Sequence, residues 1–194
     1  EKFWNSPLDD KKGLTVVEIM DAIHENTIKG MYILGENPAM SDPDLNHARE
    51  ALQMLEHLVV QDIFLTETAT YADVIFPASA WPEKNGTATN TNRQVQMGRK
   101  ALDAPGAAKE DWWITNELGK RMGLDWSYIH PKEIYEEMSK TMPSLNNISW
   151  GRLENENSVT YPSRSPTMPG DEIVFGDKFP NETGRGKFVP ASVT

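Results

Sequence analysis

Three short apolar runs, separated by helix-like stretches, constrain this chain more than any other feature. They are Met31-Tyr32-Ile33-Leu34, His57-Leu58-Val59-Val60 and Asp73-Val74-Ile75-Phe76-Pro77. Each has the length of a buried strand, and each ends in residues that break one: Gly35-Glu36-Asn37, Gln61-Asp62, and Pro77-Ala78-Ser79. Before the first run, Thr15-Val16-Val17-Glu18 forms a capping box, and Val16, Met20 and Ile23 recur at helical spacing. A helix over 15–26 follows. Between the first two runs, Asp42-Pro43 reads as a helix start, with Leu45, Ala48, Leu52 and Leu55 as one apolar stripe. Thr66-Glu67-Thr68-Ala69 can cap a short helical turn before the third run. Strands alternating with helices imply right-handed crossovers and a parallel sheet.

Further along, Ile114, Leu118 and Met122 space a helix that Gly123 terminates. Ile134, Met138 and Met142 mark another, with Pro131 at its start and Pro143 beyond its end. From about Asn155 the periodicity fades, except for a possible strand at Ile173-Val174-Phe175. The expected class is α/β: an open, Rossmann-like, three-layer αβα sandwich with a mostly parallel sheet, followed by a Pro/Gly-rich irregular tail. The expected boundaries are an extension at 1–13, an α/β domain at 14–152 and an extended segment at 153–194.

Composition removes several function classes. A formal charge of −10 argues against a nucleic-acid or anionic-membrane surface, because phosphate binding needs a basic patch. The chain has no cysteine, so it offers no thiolate for iron–sulfur ligation or catalysis. His24, His47, His57 and His130 are scattered without metal-ligand spacing. No apolar run approaches the ~20 residues that span a bilayer. The chain begins at Glu1 without methionine and ends in a Pro/Gly-rich stretch, which reads as a piece of a longer protein.

In an open α/β sheet, ligands sit beyond the carboxyl ends of the strands. There the first two strand ends place Asn37, Gln61 and Asp62. Neither carries a glycine-rich phosphate loop. An amide and carboxylates suit ribose hydroxyls or a purine edge, with Asp an acceptor for two N–H donors. Equally, Asn37 caps a turn and Asp62 caps a helix. The polar stretch 81–96 holds Lys84, Arg93 and an Asn85-Gly86 pair that favours a tight turn. It either clamps a pyrophosphate or stands as a solvated loop. Asp111 opens the helix that contains Ile114, a position the helix dipole favours for an acid, and Trp112 and Trp113 are expected to dock that helix on the sheet. The paired acids Asp9-Asp10 and Glu136-Glu137 lie in polar surroundings, and no constellation supports catalysis.

Taken together, GENPAMSDPDLNHAREAL, LEHLVVQDIFLTETATYADVIFPASAWPEKNGTATNTNRQVQ and DAPGAAKEDWWITNELGKRMGL resemble the molybdopterin oxidoreductase family, and within it the catalytic alpha subunits of cytosolic, NAD-linked formate dehydrogenases. The likeness runs from about Gly13 to Arg152 and resumes at FPNETGRGKFVPA, 179–191. It implies a chain several times longer, in which this portion is an α/β domain gripping one guanosine arm of a bis-molybdopterin guanine dinucleotide. By position in the motifs, Asn37, Gln61, Asp62, Lys84 and Asp111 would contact that cofactor. The metal, molybdenum or tungsten, with its ligand, the catalytic residues and the iron–sulfur cysteines, would lie outside this segment, which would be inactive alone. The resemblance also implies iron–sulfur and flavin subunits that reduce NAD, and a cytoplasmic location. Three positions depart from the family pattern, Asn85, Ala88 and Gln94. A nitrate reductase-type enzyme of the same family, and a cofactor-free structural domain as in the large iron–sulfur subunit of NADH:quinone oxidoreductase, remain alternative readings.

Overall fold

The computed structural model describes residues 2–191. The capping box forms as its residues dictate. Thr15 caps α1, Val16–His24, with the Glu18 backbone N–H donating to its hydroxyl and the Glu18 carboxylate accepting from the Thr15 backbone. Three parallel strands follow in the order β1-β2-β3: Gly30–Leu34, His57–Asp62 and Val74–Pro77. The Asp73 carboxylate anchors the start of β2 by accepting from the Leu58 N–H at 2.7 Å.

Register decides what each face of this sheet carries. Ile33 lies beside Val60 and Ile75, while Leu34 lies beside Gln61 and Phe76. Side chains alternate between faces along a strand. Ile33, Leu58 and Val60 accordingly pack with Ala39, Leu52 and Ala69 into one core. Met20, Ile23, Ala48 and Ala51 form a second core where α1 meets α3, Leu45–Met54. Tyr32 and Leu34 lie on the other face and are exposed.

The helix expected to start at Asp42-Pro43 is divided. Pro38–Ser41 make a separate turn, α2, with Pro38 in its first turn and Asn37 at its cap. Asp42 closes that turn and accepts from the Asp44 N–H, and Asp44 in turn caps α3. The proline that initiates helix is therefore Pro38, because Asp42 and Asp44 make a tight Asx bend on either side of Pro43.

Sheet pairing continues past β3. Ala78 bridges Lys109 in parallel sense, with Ser79 N–H donating to the Lys109 carbonyl at 2.9 Å and Lys109 N–H to the Pro77 carbonyl at 3.0 Å. Helix α4, Asp111–Arg121, starts two residues later. Its buried side is Ile114, Asn116 and Gly119 rather than a tryptophan pair. Trp113 is exposed beside the Lys109 ammonium, 5.6 Å from its ring centre, and Trp112 donates its indole N–H to Glu110. Trp113 therefore does not dock the helix, while Trp112 is half-buried.

The chain divides into two compact units, residues 1–86 with 98–133, and 87–97 with 134–194. This division differs from a cut at 152. Tyr135, Leu145, Ile148, Trp150 and Leu153 share a core with Val95 and Val159. The second unit contains most of α5, Pro131–Thr141, all of α6, Trp150–Glu156, and a three-stranded sheet. That sheet runs in the order β4-β5-β6, Gly86–Thr89, Gln94–Gly98 and Ser158–Thr160, with β5 and β6 antiparallel. Residues 81–96 thus hold a 3-10 turn, the strand β4 and the start of β5 rather than one continuous loop. The positive φ falls on Arg93, at +68°, and not on Asn85-Gly86; Asn85 instead accepts from the Lys100 N–H.

The Arg93 guanidinium donates to the carbonyls of Tyr161, Asp171 and Glu172, so this cation ties irregular backbone together. Buried Arg152 does the same for the carbonyls of Asn147, Ser165 and Met168. The strand expected at Ile173-Val174-Phe175 does not form: Phe175 has φ +59° and those residues are bends.

Tyr135, in the core of the second unit, donates a hydrogen bond to the Ile148 carbonyl at 2.8 Å. Tyr135→Phe leaves that carbonyl unpaired and is expected to cost about 1–2 kcal/mol in chemical denaturation. Burial raises the Tyr135 hydroxyl from 10.0 to about 12. Because the folded value is the higher one, its stabilising effect is complete at neutral pH and is lost as pH rises through that range. An ultraviolet tyrosinate titration should show a late-ionising tyrosine that Tyr135→Phe removes.

Candidate functional site

The carboxyl ends of β1, β2 and β3 come together near the Asp111 side chain. Gly35 ends β1 with φ +66°, where glycine carries no Cβ penalty, and its N–H donates to the Gln61 carbonyl at 2.9 Å. Gln61, near the end of β2, is 0% exposed. Its amide accepts from the Tyr32 hydroxyl and donates through Nε2 to Asp111 Oδ1 at 2.7 Å. The Lys84 ammonium donates to Asp111 Oδ2 and, at 2.9 Å, to the Ser79 carbonyl. Tyr32, Gln61, Asp111, Lys84 and Ser79 therefore form one continuous hydrogen-bonded chain.

Backbone geometry explains why these residues meet. The Ala78–Lys109 bridge carries the segment before α4 alongside β3, so the first residue of α4 arrives at the strand ends. Lys84 is brought back by the turn Trp81–Glu83, where Glu83 accepts from the Ala80 N–H at 2.8 Å. Its ammonium also lies 5.5 Å from the Trp81 ring centre. The side chains of Lys84 and Asp111 keep 19% and 31% of their surface. Each Asp111 oxygen has one protein donor, and a carboxylate accepts at about four lone-pair positions. The remaining positions are free to accept from a ligand.

The other two residues singled out from sequence are placed differently. Asn37 Oδ1 accepts from the Thr68 N–H at 3.1 Å and the Thr68 hydroxyl at 2.8 Å, while its Nδ2 donates to Glu67 at 2.8 Å. It ties the turn after β1 to the 3-10 turn Thr68–Tyr71. Asp62 Oδ1 accepts from the N–H groups of Ile63, at 2.6 Å, and Phe64, at 3.4 Å. That bend exposes Ile63, Phe64 and Leu65. Gln61, Lys84 and Asp111 are thus joined, whereas Asn37 and Asp62 flank them separately.

Tyr32 is the participant that sequence reading missed. The signal available was its alternation with Ile33, which puts a tyrosine on the face opposite the aliphatic core. Burial raises the Tyr32 hydroxyl above its ordinary value, and the Asp111 charge adds to the effect. The Glu67 carboxyl is held below the usual range, first by the Asn37 amide. Among the described residues no group of three His, Cys, Asp or Glu side chains is placed to hold a metal ion.

A family model described as molybdopterin oxidoreductase matches residues 6–121, more than half of the chain. The chain belongs to the molybdopterin oxidoreductase family. It is 44% identical over 192 residues to the F420-dependent formate dehydrogenase subunit alpha of Methanocaldococcus jannaschii, covering 98% of this chain and 28% of that protein. It is 41% identical over 182 residues to the putative formate dehydrogenase YrhE of Bacillus subtilis, covering 92% of this chain and 19% of that one. The chain therefore spans less than a third of the length of these curated relatives. Acetylene hydratase from Pelobacter acetylenicus shares the fold, with TM-score 0.58 and 21% identity over 75% of this chain and 20% of its own. All five site residues lie inside the matched family region.

Two substitutions probe the arrangement. Lys84→Met removes one donor from Asp111 and is expected to cost about 1 kcal/mol, a modest amount because both side chains keep solvent contact. Chemical denaturation measures it. Asn37→Ala should move the Glu67 titration, followed by carboxyl NMR shifts, up into the ordinary Glu range. Since the folded value is the lower one, Glu67 stabilises above its unfolded value and the effect is lost as pH falls. The variant should lose stability less steeply in acid.

Proposed function

We propose that this segment grips one guanosine diphosphate arm of a bis-molybdopterin guanine dinucleotide within a formate dehydrogenase large subunit. The observation that carries the reading is the Asp111 carboxylate, oriented on both oxygens by Gln61 and Lys84 yet still partly open, at the carboxyl ends of a parallel sheet. The donor set fits such a group. A guanine edge presents two neighbouring N–H donors, and a carboxylate accepts both. Lys84 supplies a cation for a phosphate oxygen, and Asp62 an acceptor for a ribose hydroxyl. Gln61 is buried, so it serves by holding Asp111, and Asn37 by fixing the turn that borders the crevice.

When bound, the cofactor's molybdenum or tungsten supplies the two-electron chemistry that turns formate into carbon dioxide. This chain's part is positional: it orients the nucleotide end so that the reactive end is carried at a fixed place by the remaining domains. With no cysteine in the chain, iron–sulfur clusters belong to other parts of the protein. The names of its relatives, which specify formate dehydrogenases, support the substrate. Partner subunits with iron–sulfur and flavin centres would pass electrons to a soluble two-electron acceptor. The resemblance points to NAD and a cytoplasmic setting, whereas two relatives are named F420-dependent. Among the described residues no helix is long and apolar enough to cross a membrane.

One observation favours a second reading, the cofactor-free structural domain. Lys84, Asp111 and Gln61 already satisfy one another without a ligand. Elemental analysis of the purified full-length protein separates the two. Molybdenum or tungsten near one per large subunit is expected, and its absence overturns the cofactor reading. Asp111→Asn and Asp62→Ala should each lower metal occupancy severalfold while far-ultraviolet circular dichroism stays unchanged.

A further inference from the structure

Tyr32 stands one row before Gln61 on the face of the sheet that the aliphatic core does not use. It pairs with Val59, and Leu34 pairs with Gln61. The residue is 42% exposed, and its ring lies nearly parallel to that of Phe76, with centroids 6.4 Å apart at 29°. Its hydroxyl donates to Gln61 Oε1.

A glutamine amide has a donor end and an acceptor end of nearly equal size, so its neighbours decide which way it lies. Gln61 is fully buried, and water does not arbitrate. With the Tyr32 hydroxyl on Oε1, the Nε2 end faces Asp111 and donates to it. Asp111, an acceptor only, takes the Nε2 end, and the Tyr32 hydroxyl anchors the buried Oε1 at the other end, so that the amide is held from both sides.

We infer that Tyr32 is a positioning residue for the purine-reading carboxylate: its hydroxyl fixes the Gln61 amide, and the amide fixes Asp111. The inference rests on the guanosine reading proposed above and extends it to a residue that does not itself touch the base edge. Burial, and next the Asp111 charge, raise the Tyr32 hydroxyl above its ordinary value. Tyr32→Phe deletes one oxygen and retains the ring against Phe76, so the amide loses its guide while the sheet face keeps its packing.

The test uses full-length protein purified free of cofactor from a host that makes no molybdenum cofactor, titrated calorimetrically with GDP and with ADP. Wild type should prefer GDP, because adenine lacks the paired donors that Asp111 accepts. Tyr32→Phe should lower the GDP-to-ADP preference about fivefold, the worth of one neutral hydrogen bond, with ADP affinity unchanged. Gln61→Leu should produce a similar loss, and adding Tyr32→Phe to it should lower the preference no further. An unchanged preference in Tyr32→Phe, an equal fall in both affinities, or additive losses in the double variant would overturn the inference. A wild type that binds GDP and ADP equally would instead remove the guanosine reading, and the inference with it.

Discussion

A carboxylate at the rim of an apolar sheet has to be compensated, and the arrangement around Asp111 follows from that requirement. Gln61 supplies a donor to one oxygen and Lys84 to the other. The three side chains come from the end of β2, the turn after β3 and the start of α4. Displacing any one of these elements leaves a charge or a buried amide without its partner, a cost of about 1–3 kcal/mol. The pairing therefore locks the strand ends together and leaves part of the carboxylate facing outward.

The backbone makes this meeting possible before any side chain does. Parallel pairing runs from β1 through β3 and continues for one bridge beyond it, at Ala78 and Lys109. That bridge delivers the amino end of α4 to the same edge where Gly35 turns the chain out of β1. On the opposite face, Ile33, Leu58 and Val60 bury against Ala39, Leu52 and Ala69. One face of the sheet thus supplies stability while the other carries tyrosine and glutamine, so the polar chain sits on a framework it does not have to hold together. In the second unit, arginines perform the corresponding task for irregular backbone. Arg93 and Arg152 collect carbonyl groups that have no ladder partner, as buried polar backbone requires.

Features set by neighbours in the chain were legible from residue order alone. The capping box at Thr15 and Glu18, the three apolar strands, the glycine that turns the chain after β1 and the helix closed at Gly123 all depend on contacts a few residues apart. The strand-end rule singled out Asn37, Gln61 and Asp62 and the resemblance added Lys84 and Asp111; the structure joins Gln61, Lys84 and Asp111 and ties Asn37 and Asp62 into their own turns. Failures came where a short-range rule had two outlets. Proline starts a helix at Pro38 rather than Pro43, and the left-handed residue is Arg93 rather than Gly86.

By itself the sequence determined the α/β class and the family. Tertiary structure alone decided the division of labour among the polar residues. Gln61 and Asp111 meet across fifty positions, and Tyr32 and Gln61 across twenty-nine. Such pairs depend on register, because shifting a strand by one residue turns every side chain to the opposite face. A single sequence carries the alternation along each strand but not the alignment between strands. It therefore named Asn37 and Gln61 as partners in one site, and only the register showed one tying a turn and the other, guided by Tyr32, holding a carboxylate.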